Sequence, residues 1–133
     1  MKTIQSAAVA LLMAGSALSM QAAHAQLPGV GRVDLIKQDI SVPGHEVVQV
    51  RVDIGPGVLA PAHSHPGEEV AHVLQGTLEY QFEGKPPITL KAGDSLFIPA
   101  GTVHSAKNVG TGEARELATY IVEKDKPLVV LKK

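Results

Sequence analysis

The sequence predicts an all-β fold, a single antiparallel sandwich or barrel, and three observations carry that prediction. Apolar residues recur with a period of two in several runs. Gly and Pro clusters separate those runs at intervals of roughly 8–12 residues. Downstream of residue 25, no stretch of about ten residues shows an apolar stripe at helical spacing.

Taken in order, residues 1–25 read as an export leader. Lys2 gives a positive start, residues 7–18 form an apolar run, and Ala23-His24-Ala25 places small residues where a signal peptidase reads them. The run is shorter than the roughly 20 apolar residues that a bilayer-spanning helix needs. Cleavage after Ala25 removes 25 of 133 residues and leaves 108, beginning at Gln26, in a bacterial periplasm or outside the cell. Residues 26–133 then make one domain, with strands expected from about Val33 to Leu131.

Within that domain Val48, Val50, Val52 and Ile54 share one strand face, with Glu46, Gln49, Arg51 and Asp53 read onto the other. Leu78, Tyr80 and Phe82 alternate with Thr77, Glu79, Gln81 and Glu83 in the same way. Leu117, Thr119 and Ile121 alternate less cleanly with Glu116, Ala118, Tyr120 and Val122. Turns fall at Gly55-Pro56-Gly57, Pro66-Gly67, Gly84-Lys85-Pro86-Pro87, Ala92-Gly93-Asp94, Pro99-Ala100-Gly101 and Gly110-Thr111-Gly112. Residues 127–131 read as a further short apolar strand, at an edge or crossing to a partner. Val70 and Leu74 fall on the outward parity of their strand, which predicts a homodimer.

Charge and cysteine content exclude several functions. The net charge is −1, and −2 once Lys2 leaves with the leader, so nucleic acid and anionic membranes are not expected partners. There is no cysteine. An exported chain without disulfides relies on its core, a metal or association for stability, and any metal ligands must be nitrogen or oxygen.

Two segments concentrate the chemistry. The first runs Gly57, His63-Ser64-His65, Glu69, Gly76; the second runs Gly93, Pro99-Ala100-Gly101, His104, Asn108. Residues two apart on a strand share a face, so His63 and His65 project together, Glu69 follows a turn, and His104 arrives from a distant strand. The three imidazoles and the carboxylate can close on one ion only if the sheet curves strongly, with Gly57, Gly76, Gly93 and Gly101 where such turning or a positive φ would be needed. Strand histidines are commonly just solvated. The joint spacing with Glu69, His104 and the fixed Gly and Pro positions makes coincidence a poor account.

These segments resemble the paired motifs of the cupin superfamily, G-x5-H-x-H-x3,4-E-x6-G and G-x5-P-x-G-x2-H-x3-N, with no departure at any specified position. The stretch between them, residues 77–92, has the short length typical of small bacterial members. The resemblance implies a conical antiparallel jelly-roll β-barrel with His63, His65, Glu69 and His104 as metal ligands near one mouth. It specifies function weakly, since cupins include dioxygenases, decarboxylases, isomerases, lyases, sugar-binding and storage proteins.

Three imidazoles and a carboxylate leave two positions open on an octahedral ion and suit one divalent transition metal: Fe, Mn, Ni, Cu or Zn. Glu69 serves either as a charge-balancing ligand or also as a general base. Glu68 and His72 fall on the face opposite Glu69, and Asn108 reads as a residue that fixes backbone near His104. Aromatics are few (Tyr80, Phe82, Phe97 and Tyr120) and there is no Trp, which favours a small or aliphatic ligand. The expected function is a metal-dependent enzyme acting on a small oxygen-bearing molecule. The alternatives are a non-catalytic metal or small-ligand binding protein of the periplasm and a module whose metal serves only folding.

Overall fold

The computed structural model describes residues 28–133, which form ten strands and, among the described residues, no helix. The leader expected over residues 1–25, with its cleavage point, lies outside them. In chain order the strands are β1 (Val30–Asp39), β2 (His45–Ile54), β3 (Leu59–Ser64), β4 (Gly67–Gln75), β5 (Thr77–Phe82), β6 (Ile88–Lys91), β7 (Ser95–Ile98), β8 (His104–Asn108), β9 (Ala114–Glu123) and β10 (Val130–Leu131).

They build two five-stranded sheets, ordered β1-β2-β9-β4-β7 and β10-β3-β8-β5-β6. Every paired neighbour is antiparallel. The expectation of an all-β, antiparallel jelly-roll fold is met. Leu78, Tyr80 and Phe82 from β5 pack with Ile54, Ala71, Val73 and Ile98 between the sheets, and Val48, Val50, Ala118, Tyr120 and Val122 form a second apolar cluster. The apolar strand sets read from the sequence face this interior because burying them is the main favourable term in folding.

Two details of facing go beyond the sequence reading. In an antiparallel pair, opposed residues point to the same face. Val48, Val50 and Val52 of β2 oppose Tyr120, Ala118 and Glu116 of β9, so the even-numbered residues of β9 turn inward and Leu117, Thr119 and Ile121 turn out. Glu46 corrects an assignment: it shares parity with Val48, is buried on that side rather than with Gln49 and Arg51, and lies 3.5 Å from Lys37 Nζ.

Two glycines allow the sheets to close. Gly67 opens β4 so tightly against β9 that a Cβ there would collide with the Ile121 carbonyl oxygen. Gly76, between β4 and β5, has φ +78°, and a Cβ there would sit 2.9 Å from Ala114 Cα. The tail reaches the edge of the second sheet, where Val130 and Leu131 pair with Ser64 and His63.

Candidate metal centre

Three elements deliver the four expected ligands to one place. His63 lies near the end of β3, His65 just past it, Glu69 on β4 and His104 at the start of β8. Ring centroids are 4.8 Å apart for His63 and His65, 4.4 Å for His63 and His104, and 5.2 Å for His65 and His104. One ring nitrogen from each histidine lies within 4.8 Å of the others, an arrangement that could hold a metal ion. Glu69 Oε2 sits 3.0 Å from His65 Nε2 and 3.3 Å from His104 Nε2.

The backbone sets the direction of each ring. Nδ1 of His63 lies 2.7 Å from the Pro61 carbonyl, Nδ1 of His104 lies 2.9 Å from the Thr102 carbonyl, and Nδ1 of His65 lies 2.6 Å from the Leu128 carbonyl. A carbonyl oxygen only accepts, so each Nδ1–H donates and each neutral ring keeps its lone pair on Nε2. Outward hydrogen bonds that fix tautomer and ring plane are the usual support of metal-bound histidine. His65 Nε2 and Glu69 Oε2, although 3.0 Å apart, make no aligned hydrogen bond and have no other partner. Buried polar atoms are rarely left so. Two acceptor lone pairs aimed at a common point rather than at each other fit a divalent cation, and the nitrogen and oxygen donor set suits a first-row transition ion.

Electrostatics follow from the burial. Burial raises the Glu69 carboxyl, but in the metal-free site hydrogen bonds from His104 and His65, which require a proton on Nε2, outweigh it and hold the group well below the usual carboxylate range. Burial, reinforced by His104 and His65 and partly offset by the Pro61 carbonyl, lowers His63 from 6.5 to about 4. A neutral, desolvated imidazole is the form a metal requires.

Beside the four residues lies a cavity of about 50 Å³ lined by His63, Glu69 and His104, by the apolar side chains of Val52, Ile54, Ala60 and Ala106, and by Tyr80, Glu116 and Tyr120. The last three were not singled out as site residues in the sequence. Glu116 is only 5% exposed. Burial, then the charge of Glu69, pushes its carboxyl well above the ordinary range, so the pair holds one proton on the Glu116 side. Burial followed by Glu116 raises the Tyr80 phenol, and burial followed by Glu69 raises Tyr120. The available signal was a lone Glu on a face otherwise made of Ala, Tyr and Val.

His72 lies among the outward residues of β4, with Nδ1 2.8 Å from Ser95 Oγ. Asn108 does fix backbone, though at the end of β8 away from His104: its Nδ2 donates to the Ile54 and Gly112 carbonyls, each at 2.8 Å, and its Oδ1 accepts from Gly110 N at 2.9 Å. Gln81 points away from the interior and donates to the Phe82 carbonyl at 2.8 Å.

Comparison with known proteins places this geometry in context. The family model for the cupin domain (Cupin_2) matches residues 50–120. Dimethylsulfoniopropionate lyase DddQ of Ruegeria pomeroyi is 41% identical over 51 residues, 38% of this chain and 25% of that protein. Its crystal structure superposes with a TM-score of 0.59 at 29% identity, covering 65% of this chain and 43% of the other. Germin-like protein subfamily 2 member 2 of Arabidopsis thaliana is 37% identical over 87 residues, 59% of this chain and 40% of that protein. Oxalate oxidase in complex with glycolate gives a TM-score of 0.63 at 26% identity over 80% of this chain and 57% of the other. The chain thus spans between a quarter and two-fifths of the length of these two curated relatives.

Proposed function

The chain belongs to the cupin family, and from that premise we propose that it is a metal-dependent enzyme acting on a small oxygen-bearing molecule. The ligands are His63, His65, Glu69 and His104. The observation that carries the reading is the set of three Nδ1 atoms bonded outward to carbonyls while His65 Nε2 and Glu69 Oε2 stay buried without partners. The ion is one of divalent Fe, Mn, Ni, Cu or Zn, and when bound it supplies Lewis acidity and, for the redox-active metals, electron transfer. The chain's own residues do the rest. The carbonyls of Pro61, Thr102 and Leu128 orient the imidazoles, and the apolar wall limits water. Glu69 is a ligand and the candidate general base, and Glu116 carries a proton next to it.

A lyase and an oxidase among the similar proteins support an enzyme of dioxygenase, decarboxylase, isomerase or lyase type. The cavity of about 50 Å³ favours a substrate of few heavy atoms. That small volume also favours the second reading, a non-catalytic metal or small-ligand binding protein. Export through cleavage after Ala25 and association as a homodimer belong to the same proposal. Metal analysis of protein from its native compartment, then incubation with a metabolite extract with and without O₂, tests it. Bound transition metal with loss of a small metabolite is the expected result. Metal without turnover overturns the enzyme in favour of the binding protein or of a metal that serves only folding, and absence of metal overturns every reading but small-ligand binding. N-terminal mass spectrometry should find the chain beginning at Gln26; an intact Met1 in the native host would refute export.

A further inference from the structure

Tyr80 projects from β5 into the interior, opposite Ala106 of β8, while the next pair on that face joins Phe82 to His104. Tyr80 and His104 line the same cavity, with the small Ala106 side chain also in its wall. The side chain is 1% exposed, yet its hydroxyl has no hydrogen-bond partner. Glu116 lies near enough to the hydroxyl to raise the phenol, yet the two do not meet in aligned hydrogen-bond geometry, so Glu116 is the competing partner for that proton. A phenol buried in this way destabilises the empty fold, and a phenylalanine would fill the volume without that penalty. The hydroxyl therefore points to something the cavity receives. Its surroundings limit what: the imidazoles of His63 and His104, the carboxyls of Glu69 and Glu116, and aliphatic side chains, with no Lys or Arg among the lining residues, so only an ion held by the histidines and Glu69 would balance the charge of an anionic ligand.

We propose that the Tyr80 hydroxyl is the hydrogen-bond donor that orients a small oxygen ligand, of the carboxylate class and a few heavy atoms in size, within the cavity beside His63, Glu69 and His104. The inference rests on the metal-centre reading above and adds to it the residue that holds the ligand.

The test uses the full chain loaded with Co(II), whose visible absorption reports its coordination, and formate as the probe. Formate should perturb the spectrum of the unmodified protein. Tyr80→Phe should bind Co(II) unchanged but formate about tenfold more weakly, the loss of one hydrogen bond to a charged acceptor. Without metal or formate, Tyr80→Phe should melt at or above the temperature of the unmodified protein. Formate binding that is absent from the unmodified protein, or equal in the two, overturns the proposal. A lower melting temperature for the metal-free variant also overturns it, because the hydroxyl then serves a structural hydrogen bond, with Glu116 the nearest candidate. Failure of the unmodified protein to bind Co(II) would remove the metal centre itself, an outcome read separately from the formate titration.

Discussion

Each imidazole of the site is held at one nitrogen by backbone and freed at the other, so the centre is preorganised by carbonyls that no side-chain substitution can replace. Removing a ligand ring should be decisive. His104→Ala is expected to lose nearly all bound transition metal by elemental analysis, since no cysteine is present to substitute. Glu69→Gln should retain metal weakly, and if the carboxylate is also the base, turnover should fall further than metal content. His72→Ala should change neither, given its outward contact with Ser95. The buried pair Glu69–Glu116 gives a pH prediction for the metal-free protein. Glu116 is raised above 4.5, so its contribution to stability is complete below that pH and is lost as pH rises. Glu116→Gln should therefore stabilise the metal-free fold at about pH 7, with the gain shrinking as pH approaches about 4.5 in denaturant titrations. A gain that does not vary with pH would contradict the assignment. His63 slopes the other way: its lowered value, about 4, means that stability falls as pH drops from 6.5 through 4. At this scale the convergence of the four proposed ligands was legible, because residue type, spacing and the motif resemblance single out His63, His65, Glu69 and His104. Glu116, Tyr80 and Tyr120 were not assigned to the site, because their roles depend on which face of a strand meets the cavity.

Strand facing was clear where one face is apolar and the other polar, as in β5, and indistinct in β9, where Leu117 and Ile121 compete with Ala118 and Val122. Pairing decides β9. Its position between β2 and β4 forces parity on it from both sides, and that information is absent from its own residues. The tail shows the same limit. Residues 127–131 read as an edge strand, and β10 does pair with β3, but nothing in the sequence indicated that the Leu128 carbonyl orients His65. A carbonyl has no sequence identity, so such contacts are invisible before folding. Deleting residues 127–133 should leave the two sheets intact by circular dichroism, since β10 contributes only two residues at an edge. Metal affinity should fall roughly 10–100-fold, as it does when outer partners of metal-bound histidines are lost. Unchanged affinity would show that His65 needs no such support.

At the scale of the molecule, the charge distribution and the outer surface of the first sheet bear on association. Val70 of β4 opposes Phe97 of β7, and Phe97 is 59% exposed, while Leu74 and Ile121 extend the same outward face. These large apolar side chains lie on neighbouring strands, and contiguous apolar patches of this kind mark association sites more often than scattered ones do. The whole chain carries a net charge of only −1, so copies repel one another weakly, and an apolar patch is complementary to itself, with the exposed Glu68, opposite Ile121, as the charge such a contact must leave at its rim. A two-fold dimer through this face would bury Phe97 at its centre and leave the cavity, which lies on the inner side of the same sheet, unobstructed. Light scattering at micromolar concentration should therefore give twice the chain mass. Phe97→Lys, a charge at the centre of the patch, should shift the equilibrium to monomer while leaving metal content unchanged, because the substitution faces away from His63, His65, Glu69 and His104. A monomeric mass at high micromolar concentration would rule this interface out, and a dimer that persists in Phe97→Lys would place the contact elsewhere, with the exposed residues of β1 the next surface to alter.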